Sequence, residues 1–314
     1  MDAPGPETAA SSPHGRARAL ARAGLATVVA ARQRRDARRS SLIRPVPAAV
    51  RARVRPSPGP PAPAPAPAGG VPVGTPRCVV TTSWDDGHLF DLRLADLLAA
   101  YGVAGTFYVA PGNAEFPRRA LLDDRALREL GQAMEIGSHS VRHTRFTELS
   151  DAGVRAELRD GRDHLEQLLG REVTAFCYPG GAHAPGHRAL LAESGYRVGR
   201  TCEAGRLRID DPLEMPVTMH ARPLAGLDLD ALAIARRRPL RAPRHAVSWD
   251  AMAADWFERA LEEGGVFHLW GHSWELDSTR SWERLERVLR VVSGHPDVAY
   301  LTNSEAAALP ANRG

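Results

Sequence analysis

Cys78-Val-Val-Thr-Thr-Ser-Trp84 runs directly into Asp85-Asp86-Gly87. β-Branched residues dominate the run and a turn tripeptide ends it, so the stretch reads as a buried strand entering a loop. Apolar residues at helical spacing follow over 89–101, and Ala-Gly-Thr-Phe-Tyr-Val-Ala at 104–110 reads as a second strand. The alternation continues. Helices are expected near 123–133, 150–169, 187–194, 248–263 and 281–292, and strands at 134–140, 174–178, 196–201, 266–271 and 298–301, with a less regular stretch between 201 and 248. Strands alternating with helices predict a parallel sheet with helices outside it. No internal repeat interrupts the pattern.

Upstream the composition is different. Residues 1–76 are rich in Arg, Ala and Pro and end in the Pro-rich run 58–67 followed by Gly69-Gly70. Alternating Ala and Pro favours extended polyproline II and builds no core, so 1–76 is expected to be a disordered leader, with a short helix over 17–35. Residues 77–314 are expected to be the folded domain. Charge follows the same division. Twelve arginines against Asp2, Glu7 and Asp36 give the leader +9, which leaves −5 for the rest of a chain whose total is +4. The pI near 9.3 therefore belongs to the leader, and the acidic body argues against nucleic acid as a ligand. Cys78, Cys177 and Cys202 are an odd number at no disulfide-like spacing. No apolar run approaches the roughly 18–20 residues that span a bilayer, and the run 25–31, flanked by Arg, lacks the pattern of a secretory signal. These features point to the cytoplasm.

Four segments carry residues capable of chemistry. Asp85-Asp86-Gly87 is a common turn, but neighbouring carboxylates point different ways, so one can hold a cation while the other reaches a water. In His139-Ser-Val-Arg-His143 the two histidines are four apart, and on a helical turn both imidazoles would reach one metal. With a carboxylate they make a two-His-one-carboxylate set, which leaves positions open for water and substrate. Tyr178-Pro-Gly-Gly181 is either a plain turn or a closely approaching backbone N–H of the kind that stabilises an oxyanion. His268-Leu-Trp-Gly-His272-Ser-Trp-Glu275 is apolar with a polar end. Trp270 and Trp274 there are either core or platforms on which sugars stack, and His272 is either structural or catalytic. All four segments fall at the C-terminal ends of predicted strands, where catalytic groups gather in parallel barrels.

In order, Thr82-Ser-Trp-Asp-Asp-Gly87, His139-Ser-x-x-His143, Tyr178-Pro-Gly-Gly181 and Trp270-Gly-His272 resemble the successive motifs of the polysaccharide deacetylase family, with its NodB homology domain, over roughly 78–303. The resemblance implies a distorted (β/α) barrel of about seven strands. It also implies a divalent metal, zinc before cobalt or another ion, held by Asp86, His139 and His143. Asp85 would be the general base, His272 the general acid and the Gly180 amide an oxyanion donor. Tyr178, Pro179, Trp270 and Trp274 would line the substrate. The implied reaction removes an N-linked acetyl group from an N-acetylated sugar or glycan and releases acetate.

The sequence departs from the family pattern in three places. Thr144 follows the second histidine where Pro is usual. Cys177 stands where many members carry the Arg that orients the base, and Arg200, at the end of the next predicted strand, is the candidate substitute. Asp255-Trp256 matches by type the Asp-Trp pair that precedes the last histidine, but lies in a predicted helix, and Glu275 offers an alternative partner for His272. These endings also resemble a branch of the superfamily that contains cyclic-amide hydrolases of the allantoinase type. Further readings are a catalytically inactive carbohydrate-binding relative and a thiolate zinc site on Cys177 and Cys202. His88 is read as the start of the following helix or an extra ligand, and His164, His183 and His187 as surface or loop residues.

Overall fold

A computed structural model describes residues 76–223 and 248–309. The leader, including the expected helix over 17–35, lies outside them apart from Pro76. Among the described residues are eight strands, and every pairing between them is parallel. They are β1 (Cys78–Asp85), β2 (Gly105–Val109), β3 (Glu135–Ser138), β4 (Ala175–Cys177), β5 (Val198–Arg200), β6 (Met219–His220), β7 (Gly265–Gly271) and β8 (Val298–Tyr300). Seven form one path in the order β5-β4-β3-β2-β1-β7-β6, and β8 pairs with β1 beside that path. β1 is the axis. Its Cys78–Trp84 face β7, Thr82–Asp85 face β2, and Cys78–Val80 face β8. All eight residues of β1 are buried, as expected of a parallel strand covered on both sides.

Eight α-helices accompany the strands among the described residues: α1 (Asp91–Ala100), α2 (Asp124–Ala133), α3 (Asp151–Leu169), α4 (Pro185–Glu193), α5 (Trp249–Glu263), α6 (Ser273–Ser278), α7 (Trp282–Val292) and α8 (Asn303–Ala308). The longest shows why each forms. In α3, Ser150 accepts a hydrogen bond from the Gly153 N–H at the N-cap, and Gly170 ends the helix at φ 67°. Val154, Leu158, Gly161 and Leu165 make the buried stripe between them, at the spacing of one helix face.

The path does not close into a full barrel. β5 and β6 are its two borders, and residues 201–218 run between them, touching β5 through the Arg200–Met215 bridge. Gly199 allows this approach, because a Cβ there would lie 2.3 Å from the Leu213 carbonyl oxygen.

The expected distorted barrel of about seven strands is present as an open half-barrel, and most predicted elements fall within a few residues of their expected positions. The less regular stretch after 201 hides β6, which is only two residues long. The short helices α6 and α8 were also not expected. His139–His143 is a correction of another kind: the segment is a loop, not a helical turn. Ser140 (φ 64°) and His143 (φ 61°) adopt the left-handed conformation there, which breaks any helical repeat.

Candidate active site

Each chemical group stands at the C-terminal end of a strand. Asp85 closes β1 and Asp86 follows it at φ 85°. For a side chain that carries a Cβ, this is a strained conformation of the sort concentrated at functional sites. His139 lies just beyond β3, Arg200 closes β5, His220 closes β6, and His272 follows β7.

Asp86, His139 and His143 converge. Asp86 Oδ1 lies 3.9 Å from His139 Nε2 and 3.5 Å from His143 Nε2, and the two rings are 4.6 Å apart. Ligands about 2.1 Å from one tetrahedral ion would be about 3.4 Å apart, so the three atoms need little movement to share a cation. Partners at the far ring nitrogens select the free ones. His139 Nδ1–H donates to the Cys177 carbonyl at 2.8 Å, and His143 Nδ1 lies 3.2 Å from Glu115 Oε1. Both Nε2 atoms therefore face Asp86, the outer-sphere arrangement typical of metal-binding imidazoles. The carboxylate is fixed as well. The Trp274 indole N–H donates to Asp86 Oδ2 at 2.8 Å, and Asn113 Nδ2–H donates to Oδ1 at 3.4 Å. Burial pushes the His139 pKa down to about 4 against the pull of Asp85 and Asp86, which leaves a neutral ring with a lone pair to offer. Two imidazole nitrogens and one carboxylate oxygen fit a zinc-type divalent ion.

Asp85 approaches the same ring nitrogen, with Oδ2 4.0 Å from His139 Nε2. Its Oδ1 accepts a hydrogen bond from the Arg200 guanidinium. Burial pushes the Asp85 pKa up, but the positive charge of Arg200, helped by His139 and His272, outweighs it and holds the group at about 2. Arg200 is itself sealed, with its guanidinium over Trp270 at 4.6 Å and over Tyr108 at 5.4 Å. The position expected from the family pattern, Cys177, contributes a thiol 3.7 Å from Asp85 Oδ2.

His272 approaches from the third side, with Nε2 3.9 Å from Asp86 Oδ2. Its Nδ1–H donates to Glu275 Oε2 at 2.6 Å, one turn into α6. Burial pulls the His272 pKa down, but the Glu275 carboxylate more than reverses this, raising it to about 9. The same Glu275 oxygen lies 2.7 Å from His220 Nε2. Gly180 sits in the turn Pro179–Gly181 at φ 62°, a conformation that favours glycine.

The four residues expected to line a substrate have little exposed surface. Tyr178 is fully buried, donates its hydroxyl to the Leu213 carbonyl at 3.1 Å and stacks on His183. Pro179 is buried. Trp270 is covered by His220, stacked at 4.0 Å, and by Arg200. Trp274 packs against Phe116 and spends its N–H on Asp86. None of these rings presents an open face to a sugar.

Other expected residues fall elsewhere. Asp255 is paired with Arg259 along α5 at 3.0 Å, and Glu275 partners His272. His88 precedes α1 and accepts the Phe90 N–H at Nδ1. His187 is buried in α4, edge-on to Phe146, and so is not a surface residue. Burial pushes the Cys177 thiol well up in pKa, which works against a thiolate site there. Asn113, Glu115 and His220 were not anticipated. The first two follow the end of β2, a strand-end position that could have drawn attention to them.

A family model described as polysaccharide deacetylase matches residues 73–199. Over that stretch the chain resembles the polysaccharide deacetylase family. The match takes in Asp85, Asp86, both metal-facing histidines and the Tyr178–Gly181 turn, and it stops before His220 and His272. No curated protein matches the chain. Among solved structures, a putative polysaccharide deacetylase from Mycobacterium smegmatis is 20% identical over 76% of this chain and 91% of that one, with a TM-score of 0.56. That likeness establishes the NodB-type fold. A Streptococcus pyogenes deacetylase in complex with acetate is 22% identical, over 43% of this chain and 62% of that chain, with a TM-score of 0.40. The chitin deacetylase of Colletotrichum lindemuthianum is 17% identical over 76% of this chain and 91% of that chain, with a TM-score of 0.49. No helix among the described residues is long and apolar enough to cross a membrane.

Proposed function

We propose that the chain is a metal-dependent hydrolase that removes an N-linked acetyl group from an N-acetylated sugar or glycan and releases acetate. One observation carries this reading: Asp86, His139 and His143 converge, with Asp85 on one side and His272 on the other.

Asp86 Oδ1, His139 Nε2 and His143 Nε2 would hold a divalent ion, zinc by the chemistry of the set. When bound, the ion supplies Lewis-acid polarisation of the amide carbonyl and acidification of water. Asp85 remains ionised at any working pH and takes the proton of the water that attacks the carbonyl carbon. Arg200 fixes the orientation of that carboxylate while lowering its basicity. The Gly180 N–H supports the negative charge that develops on the former carbonyl oxygen. His272 is protonated below about pH 9 and gives its Nε2 proton to the nitrogen as the carbon–nitrogen bond breaks. The amine and acetate then leave.

A second reading, hydrolysis of a small cyclic or ureido amide by the same groups, is favoured by the covered rings of Tyr178, Trp270 and Trp274, which offer no stacking face for a sugar. Purified protein loaded with zinc or cobalt, assayed for acetate against chito-oligomers and N-acetylglucosamine conjugates and for ring opening of allantoin, separates the two. Release of acetate supports the first reading. Turnover of allantoin alone supports the second, and metal-loaded protein inert toward the whole panel overturns both.

A further inference from the structure

His220 is a buried imidazole for which the mechanism above has no use. It closes the two-residue strand β6, which is paired with β7 through Met219–Leu269 and His220–Trp270. The Ala221 N–H donates to the Trp270 carbonyl at 2.7 Å directly after it. Its ring is stacked on Trp270, with centroids 4.0 Å apart and planes 24° apart. That leaves Nε2 pointing at Glu275 Oε2, 2.7 Å away, the same oxygen that takes the His272 Nδ1–H at 2.6 Å.

We propose that His220 is a positioning residue for the proton donor, acting through Glu275. The proposal rests on the reading of His272 as general acid. Glu275 lies in the first turn of a six-residue helix, on a side chain with three rotatable bonds. One hydrogen bond to His272 leaves that side chain free to rotate about the bond it makes. A second donor on the same oxygen, held rigid by the Trp270 stack, fixes the carboxylate and with it the plane of His272. Nε2 of His272 is then kept facing Asp86 Oδ2, 3.9 Å away, where the departing nitrogen must receive its proton.

The three groups also form a cluster of possible cation ligands, but the spacing disfavours an ion. Donors around one tetrahedral ion would lie about 3.4 Å apart, whereas the contacts of 2.6 and 2.7 Å fit shared protons.

Three full-length variants test the idea. His220→Phe keeps a ring on Trp270 and removes the donor, His220→Gln keeps an N–H without the ring, and Glu275→Gln removes the anion. With metal-loaded protein and an N-acetylated chito-oligomer, His220→Phe is expected to lower kcat about tenfold, part of the about 10²–10⁴-fold a general acid supplies. KM should stay within about twofold. His220→Gln should recover most of kcat. Wild-type kcat in His220→Phe would overturn the proposal. Equal losses in His220→Phe and His220→Gln, in step with melting temperature, would reduce His220 to a packing residue and overturn it too.

A second readout does not depend on the substrate. Proton NMR of the metal-free protein should show a strongly downfield His272 Nδ1–H that disappears in Glu275→Gln, shifts in His220→Phe and persists in His220→Gln. A resonance indifferent to His220→Phe sinks the proposal even if no acetylated sugar is turned over. Binding of a second equivalent of zinc that abolishes this resonance sinks it as well.

Discussion

Arg200 and Asp85, 115 residues apart, form an ion pair sealed inside the open barrel. The two side chains are 0% and 4% exposed, so neither has water to replace its partner. The pair therefore sets both the charge and the orientation of the carboxylate. In Arg200→Met, the burial that pushes Asp85 up is no longer opposed by the guanidinium. The Asp85 pKa should rise, and the acid limb of kcat/KM should move to higher pH with it. Removing one partner of a buried pair also destabilises a fold by about 3–5 kcal/mol, which denaturant unfolding would register. An unmoved acid limb would remove Arg200 from its role.

Asp85 and His139 separate chemistry from metal binding. Asp85→Asn should lower kcat by about 10²–10⁴-fold, the usual contribution of one proton-transfer group, with metal content unchanged. His139→Ala should lose both metal and activity. Metal analysis of purified variants beside acetate release checks the pair, and an Asp85→Asn enzyme with undiminished turnover would eliminate the base.

Glu115 and Asn113 contact the proposed metal ligands His143 and Asp86. Glu115→Gln and Asn113→Ala should each weaken zinc affinity by about 10–100-fold, the usual effect of removing an outer-sphere partner. Competition with a chromophoric chelator measures this directly. Affinity equal to wild type in both would mean that the 3.2 Å contact to His143 Nδ1 does not orient the ring.

His272 and Glu275 fix the alkaline side of the pH profile. With its pKa raised to about 9, His272 carries its proton through neutrality, and the rate should fall as pH rises past that value. Glu275→Gln removes the anion that raises the pKa and leaves the burial that lowers it. Its alkaline limb should therefore move to lower pH. A limb that stays in place would mean that another group titrates there.

Trp274 differs from its expected role in a way that can be measured. Trp274→Phe keeps the aromatic volume and removes the indole N–H from Asp86 Oδ2. Metal affinity should fall while KM for any substrate stays nearly constant. A large rise in KM with affinity intact would instead restore the sugar-platform reading.

The fold was legible because parallel strands covered on both faces must be apolar, and β1, β2 and β7 carry that signature over five residues or more. β6 carries two residues and no periodicity, so nothing in the sequence announced it or the His220 it delivers. His139 and His143 were rightly paired for a reason that does not hold. They meet because two left-handed residues fold a loop back, and spacing alone cannot distinguish that from a helical turn. Arg200 was legible because a strand end aims its side chain into the site. Asn113 and Glu115 sit on a loop whose path depends on Pro111, Gly112 and the Val141 carbonyl that holds the Gly112 N–H, a tertiary contact. The burial of the aromatic residues was not legible, because composition says which rings are present and not which faces are open.

The gap between β5 and β6 places two supports of the site on opposite banks. The residue that steadies the proton acceptor is anchored on one bank, at Arg200, and the residue that braces the partner of the proton donor is anchored on the other, at His220. The 201–218 connection is the span between the banks. Lengthening or shortening it would alter the spacing of Arg200 and His220 without touching Asp86, His139 or His143.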